Sequence, residues 1–164
     1  AFTAEAMEVK ALCQRYGVPL LIDDNVDVAL KSGADGVHVG IEDTPVAEIR
    51  ARAGRDFIIG ATAKTVAQAR AAQAAGADYL GVGAVFPSPT KKNAVRITVE
   101  QLRDICGSVT IPAVAIGGIS LDNIRELRSG GMRGVAVISA LFGADDIAGA
   151  ARALKQEALS AVTR

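Results

Sequence analysis

Three sets of side chains in this sequence could do chemistry, and each follows an apolar run. Asp23 and Asp24 come after Val18–Ile22, and Asp43 comes after Gly36–Gly40. Ser88, Thr90 and Lys91 stand in Gly83-Ala-Val-Phe-Pro-Ser-Pro-Thr-Lys-Lys-Asn93, directly after the run Tyr79–Val82. Gly117-Gly118 and Ile138-Ser139 follow two further runs. Two carboxylates completed by phosphate oxygens and water suit Mg²⁺, a hard cation. Hydroxyls beside a lysine can orient and neutralise a phosphate. A glycine pair lets backbone amides approach an oxyanion, and a helix opened by Ser120 would add its dipole. Each feature has a plainer alternative. Asp24 could cap the next helix, Asp43 could be a solvated turn residue, the lysines could belong to a surface turn, and the glycines could serve a tight loop.

Whether these residues meet depends on the elements that carry them. The apolar runs lack polar alternation and are separated by amphipathic stretches, a pattern that predicts parallel strands covered by helices. Strands are expected at 18–22, 36–39, 57–60, 79–82, 112–116 and 134–138. Helices are expected at 4–16, capped by Thr3 and with Met7, Leu12 and Tyr16 apolar, then 26–32, and near 46–53 with Thr44 as cap and Pro45 first. Others are expected at 65–75, 98–106, 121–129 and 146–161, with a loop or short helix at 139–143. One unit recurs: Ser32-Gly-Ala-Asp-Gly36, Ala75-Gly-Ala-Asp-Tyr79 and Gly130-Gly-Met-Arg-Gly134 each end a helix and open a strand. Glycine in such a unit supplies a left-handed cap. Asp35 and Asp78 fall at the opposite end from the strand exits, where they fix turns.

This rhythm predicts a (β/α)₈ TIM barrel, whose strand exits gather at one rim. Six strands are legible where closure needs eight, so residues 1–164 read as a single barrel domain, incomplete on its N-terminal side by two strands. A six-stranded open sheet is the alternative from pattern alone. His38, the sole histidine, is either a general base or a hydrogen-bonded interior residue. Lys64 either faces the pocket or is solvated at a helix start.

Composition narrows the partners. Eighteen basic and eighteen acidic residues cancel, and aromatics make up 4% of 164 residues. Neither a global field nor a stacking surface for nucleic acid is expected, and no run of apolar residues is long enough to span a membrane. Cys13 and Cys106 have no metal-type spacing and read as reduced, packed thiols.

In chain order, Leu21-Ile-Asp-Asp-Asn25, Gly36-Val-His-Val-Gly-Ile-Glu-Asp43, Gly60-Ala-Thr62, Gly76-Ala-Asp-Tyr-Leu-Gly-Val-Gly-Ala-Val-Phe-Pro-Ser-Pro-Thr-Lys-Lys92, Ala115-Ile-Gly-Gly-Ile119 and Gly134-Val-Ala-Val-Ile-Ser139 resemble the thiamine-phosphate synthase family across nearly the whole chain. The resemblance implies a cytoplasmic (β/α)₈ transferase. It would join 4-amino-2-methyl-5-hydroxymethylpyrimidine diphosphate to thiazole phosphate, releasing diphosphate and thiamine phosphate. It implies Mg²⁺ on Asp24 and Asp43, the diphosphate on Lys91, and the pyrimidine near Asp23 and Thr62. Ser88, Thr90, Gly118, Ile138 and Ser139 fall where the thiazole phosphate is held. Lys91, Asp24, Asp43 and Thr62 are thus the expected catalytic group.

Three positions depart from the family pattern. Asp23 stands where Asn is common, Thr62 where Ser is usual, and Lys64 where His is frequent. The related thiazole tautomerase needs that histidine, so Lys64 favours the synthase. The diphosphate-binding segment after the family's second strand has no counterpart here. Its physical loss would imply an inactive, poorly closed chain. A tautomerase-like enzyme or a phosphate-ligand-binding barrel without turnover are the alternatives, and the expected assembly is a monomer or homodimer.

Overall fold

The computed structural model describes residues 1–88 and 93–162. The chain is α/β, with strands β1 (Leu21–Asp23), β2 (Gly36–Val39), β3 (Ile58–Ala63), β4 (Tyr79–Gly83), β5 (Ala113–Ile116) and β6 (Gly134–Ala136). Its helices are α1 (Phe2–Arg15), α2 (Val26–Ser32), α3 (Val46–Ala53), α4 (Val66–Ala75), α5 (Val99–Gly107), α6 (Ser139–Phe142) and α7 (Ile147–Val162), with a 3₁₀ turn at Ile124–Leu127. Two compact units divide it: Ala1–Thr62 with Ala71–Tyr79, and Ala63–Arg70 with Leu80–Arg164.

In the first unit β1 pairs with β2 and β2 with β3, both parallel. The unbroken apolar pattern has its expected consequence: Val37, Val39 and Ile59 are fully buried. In the second unit β4 pairs with β5 and β5 with β6, again parallel, and Leu80 and Val82 are fully buried.

The recurrent unit is one physical device used three times. Gly33, Gly76 and Gly131 all have positive φ. The first two follow α2 and α4 directly, as a left-handed turn after a helix requires, and Gly131 turns the chain four residues beyond the 3₁₀ turn. The residue two positions on from the cap then bonds back to an earlier strand: Asp35 N–H to Leu20 O, Asp78 N–H to Ile59 O, and Arg133 N–H to Ala113 O. The two aspartates add a side-chain bond, accepting from Leu20 N–H and Ile59 N–H. Lys10 and Arg50 then pair with those carboxylates, each at 2.6 Å. Asp35 and Asp78 are therefore structural, as expected, and Arg133 keeps only the main-chain half of the device.

Several expected boundaries move. The first strand begins at Leu21 rather than 18, because Pro19 has no N–H and Leu20 gives its own to Asp35. The third runs on to Ala63, since Ala61 and Ala63 continue its buried face, so Thr62 lies in the strand rather than after it. Thr3 sits inside α1 and does not cap it, and Pro45 rather than Thr44 precedes the first turn of α3. The helix expected over 121–129 is reduced to the 3₁₀ turn. There Asn123 folds the chain back on itself, accepting from Ser120 N–H and donating to Gly118 O, a local competition that short polar side chains win over helix.

The apolar positions of α1 also differ from expectation. Met7, Leu12 and Tyr16 are exposed, Tyr16 by 72%, while the helix, which packs on α2, has its less exposed stripe at Thr3, Ala6, Lys10 and Cys13. Lys10 belongs to the inner stripe because Asp35 holds its ammonium. Among the described residues no helix is long and apolar enough to cross a membrane.

Candidate active site

The exit of β1 is a tight corner. Asp24 N–H bonds to His38 O on β2 and Asn25 N–H bonds to Asp23 O. Asp24 takes the left-handed conformation, φ 62°, which an Asp tolerates better than most residues. The cap of α2 is Asn25, whose Oδ1 accepts from Val28 N–H at 3.0 Å. The capping role open to Asp24 is therefore filled by its neighbour. Asp24 is exposed and lines a cavity of about 300 Å³ with Asn25, Val26, Asp27, Thr44 and Arg52. Across it Arg52 pairs with Asp27, and that guanidinium, by hydrogen bond and charge, holds the Asp27 carboxyl below its ordinary value.

Asp43, in the exposed turn after β2, accepts from Gly40 N–H at 2.7 Å through Oδ2. That bond closes the turn and fixes the carboxyl group. Thr44 beside it lines the cavity with Asp24, whereas Asp43 is not among the lining residues. Among the described residues no three His, Cys, Asp or Glu side chains cluster as metal ligands.

His38 is half-buried and engaged at both ring nitrogens. Nδ1 lies 2.9 Å from Tyr79 Oη and Nε2 lies 3.1 Å from Thr62 Oγ1. That is the hydrogen-bonded interior histidine, one of the two readings open from sequence. Tyr79 reaches it because Gly60, aligned with His38 in the sheet, leaves the space: a Cβ there would fall inside the tyrosine ring. Burial, then the charge of Asp23, pushes the Tyr79 hydroxyl up to about 12. The sequence reading missed Tyr79. Its signal was an aromatic opening a strand in a chain with only 2 tyrosines.

In the second unit Ser88 is half-buried, and Thr90 and Lys91 lie outside the described residues. The loop that begins after β4 is held at its base by Ile97 N–H to Ala84 O at 2.9 Å. Lys64 adds a second tie, its ammonium donating to Gly83 O at 3.0 Å and to Val95 O at 3.3 Å. Neither sequence reading of Lys64 anticipated this clamp. Gly118, φ 63°, lies against the same loop, and a Cβ on it would collide with the carbonyl of Pro87. The glycine pair is explained by this close approach, and Phe86 N–H bonds to Gly117 O. The helix dipole expected from Ser120 is not available, because only a 3₁₀ turn follows. Ile138 and Ser139 are exposed, at the start of the four-residue α6. Cys13 and Cys106 are free thiols, and burial pushes Cys106 up to about 11.

Asp24 follows β1, Asp43 follows β2, Thr62 lies within β3, and the loop begun after β4 is tied at its base by Ile97 and Lys64. The sequence profile described as thiamine monophosphate synthase matches residues 1–141. The chain belongs to the thiamine monophosphate synthase family. It is 49% identical to the thiamine-phosphate synthase of Caldivirga maquilingensis, over 87% of this chain and 69% of that one. It is 46% identical to that of Ruminiclostridium cellulolyticum, over 93% and 73% respectively. Among solved structures it resembles the thiamine phosphate pyrophosphorylase of Pyrococcus furiosus, with a TM-score of 0.88, 42% identity, and coverage of 98% of this chain and 79% of that one. The family expected from the sequence motifs is the one found.

Proposed function

We propose that this chain, like its thiamine-phosphate synthase relatives, joins the pyrimidine diphosphate to thiazole phosphate and releases diphosphate. Family membership is the observation that carries this reading. A closed eight-stranded (β/α)₈ barrel forming a single domain belongs to the same proposal, supported by six successive strands whose described pairings are all parallel. So does a cytoplasmic location, with small-molecule substrates and a monomer or homodimer as the working unit.

Magnesium fits the donor set. Asp24 is exposed on a cavity, and Asp43, with one oxygen taken by Gly40 N–H, retains its other carboxylate oxygen. Two hard oxygen ligands, with no metal-holding cluster of three His, Cys, Asp or Glu among the described residues, leave room for diphosphate oxygens and water. Bound there, Mg²⁺ would neutralise charge on the departing diphosphate.

The chain's own residues do the positioning. Lys91 binds the diphosphate, and its charge favours the state in which the pyrimidine-CH₂–O bond breaks. The electron-rich aminopyrimidine, held between Asp23 and Thr62, stabilises the resulting cation. Ser88, Thr90 and the Gly118 amide, with Ile138 and Ser139, hold the thiazole phosphate so that the ring nitrogen faces that carbon. No covalent nucleophile is required. Lys91→Ala is expected to lower turnover by about a hundredfold or more with the fold intact, measured as thiamine phosphate formed with Mg²⁺ present. Near-normal turnover would reject the assignment.

A further inference from the structure

The contacts around His38 fix more than its position. Among the described residues the hydrogen-bond partner of the Tyr79 hydroxyl is His38 Nδ1. A phenol has one proton to donate, and a partly buried one placed beside a ring nitrogen gives it there. A neutral imidazole protonated at one nitrogen accepts at the other, so the bond at Nδ1 decides what happens at Nε2. Thr62 Oγ1, 3.1 Å from Nε2, is then an acceptor in that bond.

We infer that Tyr79, His38 and Thr62 form a positioning relay. Tyr79 Oη–H donates to His38 Nδ1, His38 Nε2–H donates to Thr62 Oγ1, and the Thr62 hydroxyl proton is turned away, toward an acceptor atom of the pyrimidine substrate. The specific role of the final donor rests on the proposed pyrimidine site. The relay itself rests only on the three side chains.

Three observations are compatible with this arrangement. Burial and the Asp23 carboxylate keep the proton on Tyr79 through the neutral range, its hydroxyl being pushed up to about 12. Gly60 reserves the space for the tyrosine ring. Asp23, aligned with His38 in the sheet, brings an acceptor-only carboxylate to the exit of β1. A hydroxyl committed to donating complements that acceptor.

His38 is the only histidine in the chain, so ¹⁵N spectra of a histidine-labelled sample contain one imidazole and need no assignment. At about two pH units above the ordinary imidazole value, the free enzyme is expected to show protonated Nε2 and unprotonated Nδ1. Tyr79→Phe, which removes one oxygen and keeps the ring, is expected to populate the Nδ1–H form. It should also lower kcat about tenfold with KM changed less than about twofold. Thr62→Ser should keep kcat within about threefold, while Thr62→Val should lose it as Tyr79→Phe does or more.

A wild-type imidazole protonated at Nδ1 overturns the relay, as does a tautomer that ignores Tyr79→Phe. The expected tautomer in an enzyme that forms no thiamine phosphate would leave the hydrogen-bond relay standing and remove the substrate role assigned to Thr62. The two readings therefore fail separately.

Discussion

Between residues 20 and 80 the candidate site is tied down by side chains. Asn25 caps α2, Asp43 closes its own turn, and Tyr79, His38 and Thr62 hold one another across three strands. Between residues 80 and 140 the ties are mostly main chain: Ile97 to Ala84, Phe86 to Gly117, and the Gly118 backbone laid against Pro87. Lys64 is the side chain that joins in, and it too binds carbonyls. The difference follows from what each part is expected to hold. A pyrimidine ring presents donors and acceptors at fixed places, which directional side chains can match. A phosphate is a compact anion that amides and hydroxyls can surround, so close backbone packing matters more there.

Adding a methyl group should therefore damage the second region most. Gly118→Ala forces a left-handed alanine into the Pro87 carbonyl, and should destabilise by about 3 kcal/mol, lowering the thermal midpoint by roughly 10 °C. A midpoint within a degree of wild type would show that the loop yields easily and that the main-chain description is wrong. In the first region the corresponding change, Gly60→Ala, meets a side chain instead. It should cost about 2 kcal/mol alone, but add to Tyr79→Ala by clearly less than the sum of the two, read from a double-mutant cycle. Full additivity would mean that the glycine is not there to seat the tyrosine.

Lys64→Met sharpens the contrast, because it removes the cationic clamp and keeps the aliphatic stem. A loss of about 1 kcal/mol is expected, with faster amide exchange at Ile97, whose N–H bonds the base of the loop. Unchanged exchange there would remove Lys64 from the account. The smallest effect concerns Asp35, on the far side of the strands from the exits. The Lys10 ammonium and the Leu20 amide hold its carboxyl below the ordinary 3.8. Its contribution is complete above that value and is lost as pH falls through the lower folded one. The midpoint gap between wild type and Asp35→Asn should accordingly close on acidification below about pH 4.

The motifs made the family and the strand–helix rhythm legible, and they named the candidate site residues by type. Less legible were the choice between two local roles and whatever depended on a neighbour distant in sequence. Asp24 had two open roles until Asn25 proved to cap α2. Thr62 moved into its strand because the burial of Ala61 and Ala63 extends it. The apolar residues of α1 gave the wrong face, since an ion pair with Asp35 draws Lys10 inward and no local periodicity encodes that pairing.

Alternation, glycine spacing and residue chemistry act over a few positions along the chain, so the sequence alone determined the elements and the kinds of ligand they could meet. His38 facing Tyr79 across 41 residues, and Lys64 gripping Gly83 and Val95, were decided only by the tertiary structure. Hydrogen bonds of that kind exist only once packing has brought distant strands and loops within about 3 Å of each other.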